Sequence, residues 1–310
     1  MGAVWPGMKR ALSPLNPGSG TLWYTLLEAP VIWFMAPHLP SMSGGLRVID
    51  NYVNHLNASG IAACVWLGAH TQHSDATASS DVALTRTLQP GDVLVMPEVG
   101  GQKWQFLTKD IPVVMLCQGT DFVFANTEFD AGLPGPYPGW PNAQAVVGVS
   151  DTIVDFLHAA CAPTLPVFQV PIEIDSVRFA PRPKKRWIAL MPRRRREDLL
   201  AAVQLIRASG ELPGWQFRLI DGMTAEAVGA ELGQSAIFLF GAEREGFGLP
   251  GAEALASEAY VVGFTGHGAK EFLLPEFSTV IPESDVVKMA RETIAAASAF
   301  DADQVAFGRR

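Results

Sequence analysis

The chain has 310 residues, 48% of them hydrophobic and 17% charged, which is the make-up of a globular protein long enough for two ordinary domains. Its net charge of -8 argues against a general nucleic-acid binder, whose affinity rests largely on neutralising phosphates. Three cysteines, Cys64, Cys117 and Cys161, are odd in number and set in apolar surroundings, so they read as reduced thiols in cores, not as a disulfide framework.

Residues 1 to 20 read as an irregular, Pro/Gly/Ser-containing lead-in. No apolar run reaches the roughly 18 residues of a spanning helix. "TLWYTLLEAPVIWFMAP" is interrupted by Glu28 and Pro30, and Lys9 and Arg10 lead into proline- and glycine-rich sequence unlike a signal peptide. These features predict a cytoplasmic protein, with peripheral contact at the inner face of a membrane left open. "APVIWFMAP" then predicts a short buried strand and "SMSGG" a small-residue loop. Leu46, Ile49, Val53 and Leu56 recur at helical spacing up to Gly60. "IAACVWLG" is a second strand, followed by polar "AHTQHSDATASSD". "GDVLVMPE" and "IPVVMLCQG" are continuously apolar, as strands covered on both faces are. After a Pro/Gly-rich loop come the strand "AQAVVGVS" and the helix "DTIVDFLHAA", with Ser150 as its cap.

Prolines 171, 181 and 183 mark a linker, and a second α/β series follows: "RWIALM", "EDLLAAVQLIRASG", "WQFRLID", "TAEAVGAELG", "AIFLFG", "AYVVGF" and "STVIPES". Repeated strand–loop–helix units predict parallel, doubly wound sheets. The expected domains are residues 1–175 and 176–310, both Rossmann-like, with ligands at the carboxyl ends of the strands in a cleft between them.

The stretch "EGFGLPGAEALASEAYVV" holds Glu245 and Glu253 with seven residues between them. Gly246 and Gly248 permit close backbone approach after the strand "AIFLFG", and Pro250 suits a first helical turn. Unpaired N–H groups at such a helix start attract phosphate. One carboxylate can then reach a sugar hydroxyl and the other a ribose. Two glutamates at this separation mean little by themselves; the GFGLP between a strand and a helix gives them weight.

"EGFGLPGAEALA" resembles the E-x7-E signature of the retaining glycosyltransferases of family 4, which have the GT-B fold: α/β, with two Rossmann-like domains facing each other across a cleft. "SMSGG", "VPIEIDSVRFAP", "RLIDG" and "GFTGHGAKEFL" resemble further segments of that family in the same order. The resemblance implies a transferase that moves a sugar from a nucleoside-diphosphate sugar to a hydroxyl acceptor with retention of anomeric configuration, without metal or cofactor, since the nucleotide-sugar is a substrate. The acceptor would be a glycan, a lipid-linked species or a protein, in a setting such as cell-surface polysaccharide assembly. By the same resemblance Glu245 contacts the donor sugar and Glu253 the ribose, with Gly246, Phe247, Gly248 and Leu249 forming the turn at the donor.

"MPRRRRED" places arginines at a helix start, where they oppose the macrodipole unless an anion joins them. Arg193, then Arg194 and Arg196, are the candidates for the diphosphate, the alternative being a solvated helix start or a localisation-type cluster. The family has an arginine and then a lysine here; this chain has only arginines. Gly44 and Gly45 either let the backbone approach a ligand or form an ordinary turn. Gln118 ends a strand where relatives have a histidine, and it either bonds a sugar hydroxyl or simply closes the strand. Glu98 is similarly placed and is a candidate for acceptor contact. His267 and Glu271 are candidates at the donor. His70 and His73 have a spacing seen in metal sites but read as solvated loop residues. The rival readings are a catalytically degenerate GT-B protein that binds a nucleotide or glycan, motivated by Gln118, the absent lysine and the short C-terminus, and an epimerase of the same fold. No nucleophile elbow, P-loop, paired C-x-x-C or H-E-x-x-H motif occurs.

Overall fold

The computed structural model describes residues 30–36, 44–66, 82–83, 88, 90–98, 111–125 and 127–307. Ser43, which the sequence offers as a cap for the helix that begins near Leu46, and His70 and His73 lie outside these residues. Internal contacts divide the chain into two compact units, Met1–Met96 with Phe106–Val114, and Pro97–Gln105 with Met115–Arg310.

In the first unit, β1 (Ile32–Met35) pairs in parallel with β2 (Ala63–Trp66) on one side and β4 (Val93–Pro97) on the other, Ile32 standing opposite Ala63 and Val93. β3 (Val82–Ala83) extends the sheet beyond β2. Trp33, Phe34 and Leu94 are buried, which is why these strands read as unbroken apolar runs. Helix α1 (Gly44–Ala58) buries Val48, Ile49 and Val53, the face its spacing predicted. Asn57 near its end locks the return to the sheet: its side-chain amide donates to Ala63 O and accepts from Ala63 N, both at 2.9 Å.

In the second unit, β5 (Val113–Cys117) contributes its carboxyl end beside the parallel pair β6 (Ala143–Gly148) and β7 (Val167–Gln169). Helix α2 (Asp151–Ala160) is capped by Ser150, whose hydroxyl accepts from Ile153 N as the sequence predicts. The linker carries no strand or helix between Val170 and Lys184; Asp175 turns it by accepting from the amides of Val177 and Arg178.

The second sheet is parallel throughout, in the order β12 (Ser278–Val280), β11 (Tyr260–Phe264), β10 (Ser235–Gly241), β8 (Lys185–Leu190), β9 (Gln216–Leu219). All of β10 is buried, and its side chains alternate between two cores. Ile237 and Leu239 join Ile188, Val262 and Phe264 under helices α3 (Arg196–Ser209) and α6 (Val286–Ala302). Phe238 and Phe240 join Ala189, Val261 and Ala254 under α4 (Ala225–Gln234) and α5 (Leu249–Ala256). Period-2 alternation with both faces covered makes the strand look uniformly apolar in sequence. A terminal turn, α7 (Gln304–Phe307), brings Phe307 onto Phe300 and Tyr260. No helix among the described residues is long and apolar enough to cross a membrane.

Asn57→Ala removes both reciprocal bonds to Ala63 and leaves the Ala63 N–H and C=O without these partners. The expected result is a loss of about 1–3 kcal/mol of stability, read as a lowered urea midpoint with an unchanged slope.

Candidate functional site

β10 carries the chain out of the core into residues 242–248, and α5 takes it back. Gly248 caps α5 with a φ of 96°, a left-handed conformation that suits glycine, and Pro250 occupies its first turn. Leu249 is the first helical residue. The ring of Phe247 packs on Phe272 at a centroid distance of 5.1 Å. Glu253 lies on α5 and is buried, with only 3% of its surface exposed.

Glu245 stands in the turn with its side chain 22% exposed and Oε1 3.2 Å from Arg194 Nε. Burial raises its pKa above the ordinary carboxylate value, and the charges of Arg194 and Arg193 act in the opposite direction. The arginines occupy the turn between β8 and α3. Arg195, at the N-cap with a φ of 49°, is tied down: it donates to Asp198 Oδ2 at 2.9 Å, to Ser284 Oγ at 2.7 Å and to Glu283 Oε2, and it lies 5.0 Å over the ring of Phe264. Arg193, Arg194 and Arg196 are exposed. One arginine is thus structural, and it fixes the turn that presents the other three.

A second glycine loop supports the first. Gly268 N donates to Glu245 O at 2.9 Å, and a Cβ added at Gly268 would fall 2.3 Å from Gly246 O. Both loops rest on the start of α2: Ser150 Oγ donates to Gly246 O at 2.5 Å, Thr152 Oγ1 to His267 O at 3.3 Å, and Asp151 N to Glu271 Oε2 at 2.9 Å. Glu271 therefore satisfies an amide at a helix N-terminus. At the end of β5, the carbonyl of Gln118 lies against Gly246, 1.9 Å from where a Cβ would stand. Glu245, Gly246, Gln118, Arg193 and Arg194 are brought together, and Arg196 is the first residue of α3. Gly44 and Gly45 are the first two residues of α1, in the other unit.

Glu98 directly follows β4 and is 5% exposed. Burial pushes its pKa up to about 7, against the opposing pull of hydrogen bonds from its own amide and those of Gln118 and Gly119. Among the described residues its buried Oε2 has no hydrogen-bond partner, and neither has the buried Tyr137 Oη.

Sequence reasoning gave Ser150 only as a helix cap and did not find the roles of Arg195, Gly268 or Glu271. Each depends on a contact between segments 15 or more residues apart, and nothing local in the sequence signals it.

No family model matches the chain, and no curated protein matches it. Its fold is nevertheless shared. The chain is similar to sucrose-phosphate synthase from Thermosynechococcus elongatus, at 13% identity over 90% of this chain and 92% of that chain, with a TM-score of 0.64. It is similar to HepE from Anabaena in complex with UDP-glucose, at 12% identity over 90% and 91% of the two chains, with a TM-score of 0.61. It is also similar to TarM from S. aureus in complex with Fondaparinux, alpha-GlcNAc-glycerol and UDP, at 13% identity and a TM-score of 0.53 over 71% of this chain and 51% of that chain. The chain thus spans about half the length of that TarM. Its two parallel sheets and their flanking helices follow the architecture of these proteins. The fold is GT-B.

Gly246→Ala places a methyl where the Gln118 carbonyl already is, so the turn has to move. We expect a loss of about 1–3 kcal/mol in unfolding free energy. Gly132→Ala, with nothing within 4 Å of the new methyl, is the matched control and should change stability little.

Proposed function

We propose that the chain is a glycosyltransferase that takes a nucleoside-diphosphate sugar as donor and a hydroxyl group of a glycan, lipid-linked or protein acceptor. One observation carries the reading: a half-buried carboxylate, Glu245, paired at 3.2 Å with an arginine of an exposed cluster, in a glycine turn that opens a helix. Diphosphate needs cationic forks and unpaired amides, and a sugar needs carboxylate acceptors for its hydroxyls. The carboxylate stands in this turn, and the arginines of the turn between β8 and α3 stand beside it. The ligands named with the structural neighbours, UDP and UDP-glucose, support the same donor class.

In this reading the bond between the anomeric carbon and the β-phosphate oxygen breaks, and a new bond forms from that carbon to the acceptor oxygen. The acceptor proton passes to the departing diphosphate. Arg193 and Arg194 offset the negative charge that grows on the leaving group, a role that other transferases give to a divalent cation. Glu245 orients the donor sugar and Glu253 holds the ribose. The proposal includes retention of configuration and independence of metal and cofactor, and a place in cell-surface polysaccharide assembly. Gln118 carries no titratable group, so it contributes a hydrogen bond to the sugar and not a proton. The same residue motivates a second reading, in which the chain binds a nucleotide without turning a donor over.

The two readings part on a panel of UDP-, ADP- and GDP-linked sugars assayed for free nucleotide. A transferase releases nucleotide above background with at least one donor, and faster with its acceptor. Nucleotide binding with background release for every donor would leave only the binding reading. With the active donor, Arg193→Ala is expected to lower turnover by about a hundredfold with little change in thermal midpoint. Wild-type turnover in that variant removes Arg193 from the phosphate site. Glu253→Ala is expected to weaken nucleotide affinity by about 1–3 kcal/mol, which isothermal titration reads directly; unchanged affinity excludes the ribose role.

A further inference from the structure

Glu98 is the one buried carboxylate beside the turn that the proposed reaction leaves unused. It sits at the carboxyl end of β4 and accepts hydrogen bonds from the amides of Gln118 and Gly119. A Cβ on Gly119 would lie 3.5 Å from Glu98 Oε1, so the carboxylate is close against that backbone. The N–H of Gly119 and the carbonyl of Gln118 belong to a single peptide plane, which moves as a rigid plate. Glu98 holds one edge of the plate, and the other edge is the surface against which Gly246 is seated. Gly246 in turn is held from its other side by Ser150.

We infer that Glu98 is a positioning residue that fixes the Gln118–Gly119 peptide under the 245–248 turn, and that ionising its buried carboxyl loosens that support. The carboxylate is the stronger acceptor for the two amides, but the cost of burying its charge is larger than that gain, so the site favours the neutral acid. Burial brings the change of form to about pH 7, well above the 4.5 of an ordinary glutamate. Below about 7 the folded protein carries the neutral acid and a firm support; above it, the buried charge favours opening that lets water reach it. Among the described residues, the titratable groups around Glu98 do not interfere. Cys117 on β5 and Tyr137 before β6 are pushed far above their ordinary values by burial, and Cys161 after α2 to about 11. All three stay neutral while Glu98 titrates. Among the described residues neither Glu98 Oε2 nor the Tyr137 hydroxyl has a hydrogen-bond partner, so the amide bonds alone oppose the effect of burial.

The consequence for nucleotide binding rests on the proposed donor site; the link between Glu98 and the turn does not. Amide hydrogen exchange on the whole chain, corrected for the intrinsic effect of pH, separates the two. Peptides containing Gly119 and Gly246 are expected to lose protection together, by about threefold or more, between about pH 5.5 and about pH 8.5. In Glu98→Gln both should stay at the low-pH level throughout. Flat protection in the wild type, or a step at Gly119 without one at Gly246, overturns the inference, and either result is readable even if the variant does not fold. A merely structural role would lower the thermal midpoint of Glu98→Gln but leave the two peptides uncoupled.

In a second arm, UDP, ADP and GDP are titrated over the same range. Comparison with Glu98→Gln subtracts the nucleotide's own terminal phosphate, which ionises near pH 6. A wild-type affinity that falls through neutrality relative to the variant supports the positioning role at the donor site. Parallel profiles for the two proteins overturn that role. If none of the three binds, the proposed function fails, and the exchange step still decides the link.

Discussion

Backbone lies against backbone where Gly246, Gly268 and Gln118 meet, and no methyl group fits into those contacts. Everything at the site depends on that approach. It lets the turn after β10 stand on the end of β5, it places the amide of Gly268 on the carbonyl of Glu245, and it exposes the Gly246 carbonyl to the Ser150 hydroxyl. A side chain at either glycine would push the turn away from its support and carry Glu245 with it. The glycines are therefore a steric requirement, and the polar residues around them act only from the positions the glycines allow.

The charges follow from this placement. Four consecutive arginines at the start of α3 face the positive end of a helix dipole, an arrangement that costs stability unless anions join them. The protein supplies anions of its own to two of them. Asp198 and Glu283 hold Arg195 on the side away from the turn, and Glu245 meets Arg194 within it. The second pair is half-exposed and worth little in water. A diphosphate, with more charge and more acceptor oxygens than one carboxylate, would compete for Arg194 effectively and leave Glu245 to bond hydroxyls.

Most of the fold was legible because its signals are local. β1, β8, β10 and α2 stand where continuous apolar runs, a cap and a proline-marked linker put them. The helix over Val286–Ala302 went unread although Met289, Ala290, Thr293, Ala296, Ala297 and Phe300 recur at helical spacing after its Asp285 cap, its mostly small residues giving a muted apolar stripe, and β7, three residues long, falls below any pattern. At the site, the spacing of Glu245 and Glu253 and the GFGLP between them were readable in one line of sequence. The supports were not. Ser150 is 96 residues from Gly246, and Glu271 is 120 from Asp151. A serine that caps a helix looks the same in sequence whether or not its hydroxyl also reaches a second loop. Arg195 could be told from its neighbours only by what lies opposite it, Ser284 and Glu283, at the far edge of the same sheet.

The spacing of the two glutamates now has a geometric cause. Gly246 to Gly248 make the turn, and the left-handed Gly248 ends it, so the helix begins at Leu249 and nowhere earlier. From there Glu253 is four residues on, about 400° of rotation, and so stands one turn above the helix start and close to the axis line of Leu249. Two residues earlier, at Gly251, a side chain would meet the buried ring of Phe240. At the observed interval one carboxylate stays in the turn and the other lies one turn into the helix, clear of that ring.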